Sequence, residues 1–175
     1  MNMKNSVFRW AARRPNDPPT LTDVTSMKMT FTVRDKDFAA KVKDSFSKQK
    51  FMSFINAKLA NIEPGYCEIH VPYDKNLTQQ NAFFHAGIVG TIADNTAGYA
   101  AFSLMDKNSS VLTVEFKLNL ISPADGELLI GKASVLKYGK TLTICRSDVF
   151  IVKDGVEKLC AALQSTLIEL NQGDV

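Results

Sequence analysis

Between Gln79 and Leu104 the chain reads QQNAFFHAGIVGTIADNTAGYAAFSL, and this stretch limits the fold more than any other. From Ala86 to Leu104 the sole charged residue is Asp94, and proline is absent. Small and apolar residues fill the rest, which predicts a helix over 86–104. A helix apolar on all sides lies in a core rather than on a surface. The remainder of the chain must therefore be built to surround it.

Asp94 is the anomaly in that helix. Aspartate is a poor helix former, and a buried carboxylate must be paired, hydrogen-bonded or neutralised. Gly90 and Gly98 lie four residues either side of it, Gly87 and Ala101 seven, and Thr91 and Ala97 three. Helical spacing puts these on one face, so Asp94 stands in a stripe of residues with almost no side chain. Each helical glycine costs about 1 kcal/mol relative to alanine. Close approach by something must compensate, either a second backbone or a ligand. A tight crossing with Asp94 in an ion pair would satisfy the pattern, as would a ligand site. No lysine or arginine falls at helical spacing to form the pair. The helix start adds to the ligand reading. Its first turn presents unpaired N–H groups and the positive end of the dipole, a site for a carbonyl oxygen that becomes negative. His85 stands at that start.

The arrangement His85-Ala86-Gly87, with Asp94 nine residues after the histidine and then Gly98-Tyr99-Ala100-Ala101, resembles the hotdog-fold thioesterases. Within them it is similar to the PaaI-like acyl-CoA thioesterases of phenylacetate degradation. The likeness continues through Val111-Leu112-Thr113-Val114-Glu115-Phe116-Lys117-Leu118-Asn119, Ser122-Pro123-Ala124 and Gly139-Lys140-Thr141-Leu142, and spans roughly residues 49–170.

That resemblance implies roles for particular residues. Asp94 would activate the attacking water or attack the thioester carbon itself. His85 would hydrogen-bond locally and hold the loop that presents the oxyanion amides, those of Ala86 and Gly87. Similar enzymes usually carry two glycines after this histidine. Here the first is Ala86, which still supplies a backbone N–H. Gln79 stands where the family often has an asparagine, and Gln80 and Asn81 follow it, so any of these amides could hold water or thioester. Thr113 matches a position with a water-binding hydroxyl. Gly90 and Gly98 would leave room for substrate. The resemblance further implies a homodimer, joined as a dimer of dimers, with the pocket between two subunits. It calls for no metal and no cofactor beyond the CoA carried by the substrate. The rival reading, from a different class, is a non-catalytic acyl-CoA-binding protein, a sensor or scaffold that would need no carboxylate at position 94.

Other chemistries find little footing. No G-x-S-x-G elbow occurs, and no phosphate-binding or dinucleotide glycine motif. Two histidines and the scattered Cys67, Cys145 and Cys160 give no zinc spacing. Free thiols in a cytoplasmic protein are the expectation. The net charge of +3 is spread out, which argues against nucleic acid, and no apolar run is long enough to span a membrane.

One α+β domain over 35–175 is expected, preceded by an arm and short extension over 1–34. The first sixteen residues hold four basic side chains and no acid, and prolines follow. Without an apolar segment this reads as an arm, disordered or packed on a neighbour through Phe8 and Trp10, rather than a signal peptide. Met27, Met29, Phe31 and Val33 alternate as in a short edge strand. Asp35 to Lys50 reads as an amphipathic helix, with Phe51, Met52, Phe54 and Ile55 extending its apolar face. Strands are expected at 59–63 and 66–73 around Pro64-Gly65, then at 110–121, 127–137, 141–152 and 156–170. Leu112, Val114, Phe116, Leu118 and Leu120 alternate with polar residues, as in a strand buried on one face. Sheet wrapped around one long helix is the expected architecture, with an additional helix toward the N-terminus.

Overall fold

The computed structural model describes residues 31–171. Its elements are helix α1 (Phe38–Lys48), short helix α2 (Lys50–Phe54), strands β1 (Lys58–Glu63) and β2 (Tyr66–Pro72), a 3-10 turn (Lys75–Leu77), long helix α3 (Ala86–Phe102), and strands β3 (Ser109–Leu120), β4 (Leu128–Tyr138), β5 (Leu142–Lys153) and β6 (Val156–Asn171). All six strands join one antiparallel sheet in the order β1-β2-β4-β5-β6-β3. The sheet wraps α3, and this is the hotdog arrangement.

Alternation explains the wrap. Along β2, Cys67, Ile69 and Val71 are buried, and along β5 Thr143, Cys145, Ser147, Val149 and Ile151 are, each separated by a residue that is not. These side chains form the inner face on which α3 lies, with Ile92, Ala93, Ala97 and Ala100 fully buried. The crossing is closest at Gly131 of β4, where a Cβ would come within 2.6 Å of Thr96 Oγ1 and 2.7 Å of Ile92 Cγ2. The turns match their residues. Gly65 (φ +73°) closes the β1–β2 hairpin, and Asp154-Gly155, both at positive φ, make the tight β5–β6 turn.

Several expectations need correction. The amphipathic helix does not run to residue 50. Gln49 is extended, and a short helix starts after it. Met52 and Ile55 are buried as their apolar character requires, but Phe51 and Phe54 are 48% and 75% exposed and stack on each other. The expected apolar stripe of β3 is split. Thr113 pairs with Leu167 but Glu115 pairs with Thr166, so Val114 is an extra residue, a bulge. Before it Val111 and Thr113 share the face of Leu167. After it Phe116 and Leu118 share the face of Ser165 and Leu163. Leu112 is left on the outer face and is 52% exposed. β3 ends the sheet order, so one of its edges has no strand beside it among the described residues. The expected arm, with Phe8 and Trp10, and the Met27 and Met29 part of the expected edge strand lie outside the described residues. Phe31 and Val33 pack on the core outside any strand.

Candidate active site

Asp94 faces β3, near the middle of α3. Its Oδ1 accepts a 2.8 Å hydrogen bond from the Thr113 hydroxyl, across from the helix at the last position before the bulge. No cation pairs with Asp94 among the described residues, so the buried ion pair that the glycine stripe allowed is absent there. Burial pushes the Asp94 carboxyl above the ordinary carboxylate range, and the Thr113 bond opposes that shift. The outcome is a partly buried carboxylate that takes up a proton more readily than an ordinary aspartate, held in one orientation by a single hydroxyl.

Around it lies a groove of about 700 Å³. Asp94, Asn95 and Gly98 form its floor, the N-terminal half of β3 one wall, and Ser45 and Lys48 of α1, with Gln49 just after it, the other. The glycines are not consumed by packing within the chain. A Cβ at Gly98 would meet only Leu167, at 3.8 Å, and one at Gly90 only Leu118, at 3.4 Å. Their missing side chains leave open the helix face on either side of Asp94.

The N-terminus of α3 is shaped by His85. Its Nδ1 accepts the Gly87 N–H at 2.9 Å, which makes the histidine a side-chain N-cap and puts the proton of a neutral ring on Nε2. The His85 carbonyl takes the N–H groups of Ile88 and Val89. Of the two amides expected to face an oxyanion, Gly87 is thus occupied, whereas the Ala86 N–H has no acceptor among the described residues. Sequence reasoning could not separate the two, because the cap is a matter of ring orientation.

The three amides of the preceding loop fare differently. Gln79 Oε1 accepts the Asn81 N–H at 2.5 Å and its backbone bonds to Phe83 and Ala82, so its side chain stabilises its own turn. Gln79 also borders a second cavity of about 420 Å³ with Ala86, Val89 and Pro123. Gln80 and Asn81 are exposed. The structure therefore places Gln79 beside Ala86 and the other two at the surface.

Sequence reasoning missed Tyr99 as a site residue, although it stands in the quoted Gly98-Tyr99 pair. Its ring is buried, yet it lines the Asp94 groove. The signal was a tyrosine among the small residues of α3, whose other aromatic is its last residue, Phe102.

Other nucleophiles are poorly placed. All three cysteines are buried free thiols, and burial pushes Cys160 up to about 11 and Cys145 up to about 12. Among the described residues no His, Cys, Asp and Glu group has a metal-binding arrangement, and no helix is long and apolar enough to cross a membrane.

Comparison with known proteins places this geometry in a family. Residues 81–158, which hold Asp94, His85 and Thr113, match the family model described as Thioesterase superfamily. The solved structure of a thioesterase family protein from Silicibacter pomeroyi is 46% identical and superposes with a TM-score of 0.76, covering 77% of this chain and 98% of that one. Two more distant structures share the fold. A thioesterase of Haemophilus influenzae is 17% identical (TM-score 0.66; 82% and 94% of the two chains), and the PaaI protein of the Escherichia coli phenylacetic acid degradation operon is 12% identical (TM-score 0.69; 77% and 94%).

Proposed function

Given that this chain belongs to the thioesterase superfamily and is a thioester hydrolase of the hotdog fold, we propose that its substrate is an acyl-CoA, that Asp94 is the catalytic carboxylate, and that the Ala86 N–H holds the oxyanion. The observation that carries the reading is Asp94 itself. A carboxylate with no cation beside it among the described residues, kept in an apolar helix on the floor of an open groove, is costly unless it does chemistry.

The steps follow from the geometry. Thr113 occupies Oδ1 and leaves Oδ2 to take a proton from water. The water oxygen attacks the thioester carbon as that proton passes to Asp94. Negative charge gathers on the carbonyl oxygen, where a helix N-terminal N–H and the dipole stabilise it. Collapse breaks the carbon–sulfur bond, and the Asp94 carboxyl returns its proton to the departing thiolate. A raised carboxyl pKa suits a group that must accept and then release a proton.

One chain does not supply both groups to one carbonyl. Ala86 and Asp94 are eight residues apart on one helix, roughly 12 Å along its axis. A reacting thioester needs both within about 3 Å. We therefore assign the site to a pair of subunits, Asp94 of one copy meeting the Ala86 helix start of another. The unpaired edge of β3, with Leu112 and Val114 more than half exposed, supports pairing of two copies. Such a pair can assemble further into a dimer of dimers, in the cytoplasm.

Release of free thiol from a panel of acyl-CoAs tests the proposal. Turnover by the wild type, lost in a folded Asp94→Asn variant, is the expected result. Tight acyl-CoA binding with no thiol release would overturn it in favour of a binding protein.

A further inference from the structure

The cavity of about 420 Å³ at the start of α3 shares no lining residue with the Asp94 groove. Ala86, whose N–H has no acceptor among the described residues, borders it. Phe84 and Val89 are buried in its wall, and Phe83 is half-buried beside them. Leu120 and Ile121, at the end of β3, also line it and are 57% and 54% exposed, so they form its rim. Among the described residues no charged side chain lines it. Burial raises the pKa of the Cys160 thiol in its wall and keeps it neutral. The Ser122 hydroxyl donates to the Leu159 carbonyl at 2.9 Å, and Gln79 Oε1 accepts the Asn81 N–H. What Gln79 has left for a ligand is an uncharged amide nitrogen. The Asp94 groove is of another character, with Lys48, Lys107 and Ser110 on its lining.

Resting on the reading of Ala86 as the oxyanion donor, we propose that this cavity receives the acyl group of the thioester, and that the enzyme selects acyl groups with an apolar end over those that end in a carboxylate. A carbonyl held at Ala86 sends two arms away from it, the acyl chain on one side and the sulfur with the rest of CoA on the other. The CoA arm carries amides and phosphates, which need polar and cationic partners. The cavity offers no cation, whereas the groove beside Asp94 of the facing subunit offers lysines. The apolar arm therefore belongs in the cavity. Room suffices, because an apolar cavity of about 150 Å³ already holds a six-carbon ring. A carboxylate at the far end of the acyl chain would be buried against Phe84 and Val89 without a counter-charge, which is costly.

The test compares hexanoyl-CoA with adipoyl-CoA, equal in carbon count and ending in a methyl and a carboxylate, in wild type, Phe83→Arg, Leu120→Arg and Lys107→Ala. The wild type is expected to favour hexanoyl-CoA in kcat/KM by about a hundredfold, the effect of a carboxylate left unpaired in an apolar wall. A cation placed at the cavity should rescue the adipoyl thioester, so each arginine variant should lower that ratio by about tenfold, the worth of one charge-assisted hydrogen bond. Leu120 is exposed, so Leu120→Arg carries the test without touching the loop before α3. Lys107→Ala alters the groove and not the cavity, so it should act on both thioesters alike and leave the ratio unchanged. A ratio of two kcat/KM values does not depend on how much enzyme is folded. A wild-type ratio of one or below, a ratio unmoved in both arginine variants, or a ratio moved by Lys107→Ala would overturn the acyl assignment and leave the thioesterase reading intact. Cleavage of acetyl-CoA with neither longer thioester turned over would do the same. No thiol from any acyl-CoA would overturn both.

Discussion

The Thr113 hydroxyl donates to Asp94 Oδ1 across 2.8 Å, and it is the one hydrogen bond that the Asp94 side chain makes among the described residues. Orientation of the carboxylate and its proton affinity thus depend on one side chain of a neighbouring strand. Thr113→Val keeps the shape and deletes the donor. Burial of Asp94 then acts unopposed, so its carboxyl rises further and the acid limb of kcat/KM against pH moves to higher pH. At neutral pH the rate should fall about tenfold, the worth of one hydrogen bond to a charged group. Thr113→Ser should recover most of it. A pH profile in Thr113→Val that overlays the wild type would contradict the coupling.

Asp94→Asn should remove activity and add stability. Loss of a general base costs on the order of 10²- to 10⁴-fold in rate. The stability change has a definite sign. The folded pKa is raised above the unfolded one, so the ionised side chain penalises the fold at pH above the raised value. That penalty disappears below the ordinary carboxylate range, where both states are protonated. The substituted carboxamide carries no charge and still accepts from Thr113. Thermal melts should therefore show the variant above the wild type at pH 7, with the gap closing toward pH 3. A lower Tm for the variant at pH 7 would mean that Asp94 is a stabilising residue.

His85 acts as an acceptor at the N-cap, and its substitutions should rank accordingly. His85→Asn keeps a capping oxygen, whereas His85→Ala loses about 1 kcal/mol, so alanine should melt lower and turn over more slowly. Gly87→Ala tests the same contact from the other side, because its Cβ would lie 3.0 Å from His85 Nδ1 and displace the ring. Ala86→Gly keeps the proposed oxyanion donor and should stay active. Equal kcat for the His85→Ala and His85→Asn proteins would remove the cap from the account.

The two-subunit site predicts complementation. Asp94→Asn and Gly87→Val homodimers should each be inactive. Mixed and re-equilibrated, they form heterodimers that retain one intact site, and about a quarter of wild-type turnover is expected for random pairing in which one of two sites survives in half of the dimers. An active protein that sediments as a monomer would overturn the arrangement.

Gly131→Ala probes the fold rather than the chemistry. Its methyl would collide with Thr96 and Ile92 where α3 rests on β4. Overpacking of this kind costs about 1–3 kcal/mol. Thermal melting should show a clear fall in Tm, and an unchanged Tm would show that helix and sheet have room to part.

Much of this was legible in the chain. The charge-free run with one aspartate marked α3 to within two residues, and Pro64-Gly65 and Asp154-Gly155 marked their hairpins. Strand edges were read to within a residue or so because turn residues punctuate them. What could not be read was facing. The period-two pattern of β3 is genuine in sequence, but a bulge is a property of pairing, and nothing in Val114 announces it. Phe51 and Phe54 look like core residues by hydropathy, yet Gln49 breaks the helix before them and turns both outward. The division of labour between the Ala86 and Gly87 amides depends on where one imidazole points. The hydrogen bond from Gln49 to the Tyr99 hydroxyl needs the end of α1 beside α3, a contact between positions fifty residues apart.

The extra residue at Val114 also sorts charge. With unbroken alternation, the inward face that carries Thr113 would carry Glu115 and Lys117 as well. The bulge turns Glu115 outward, where it accepts from Thr166, and Lys117 follows it. Phe116 and Leu118 take that face instead, Phe116 remaining half exposed, and Leu118 lies against Gly90, one helical turn from Asp94. A single unpaired residue in an edge strand thereby moves both charged side chains, Glu115 and Lys117, off the strand face that meets the helix.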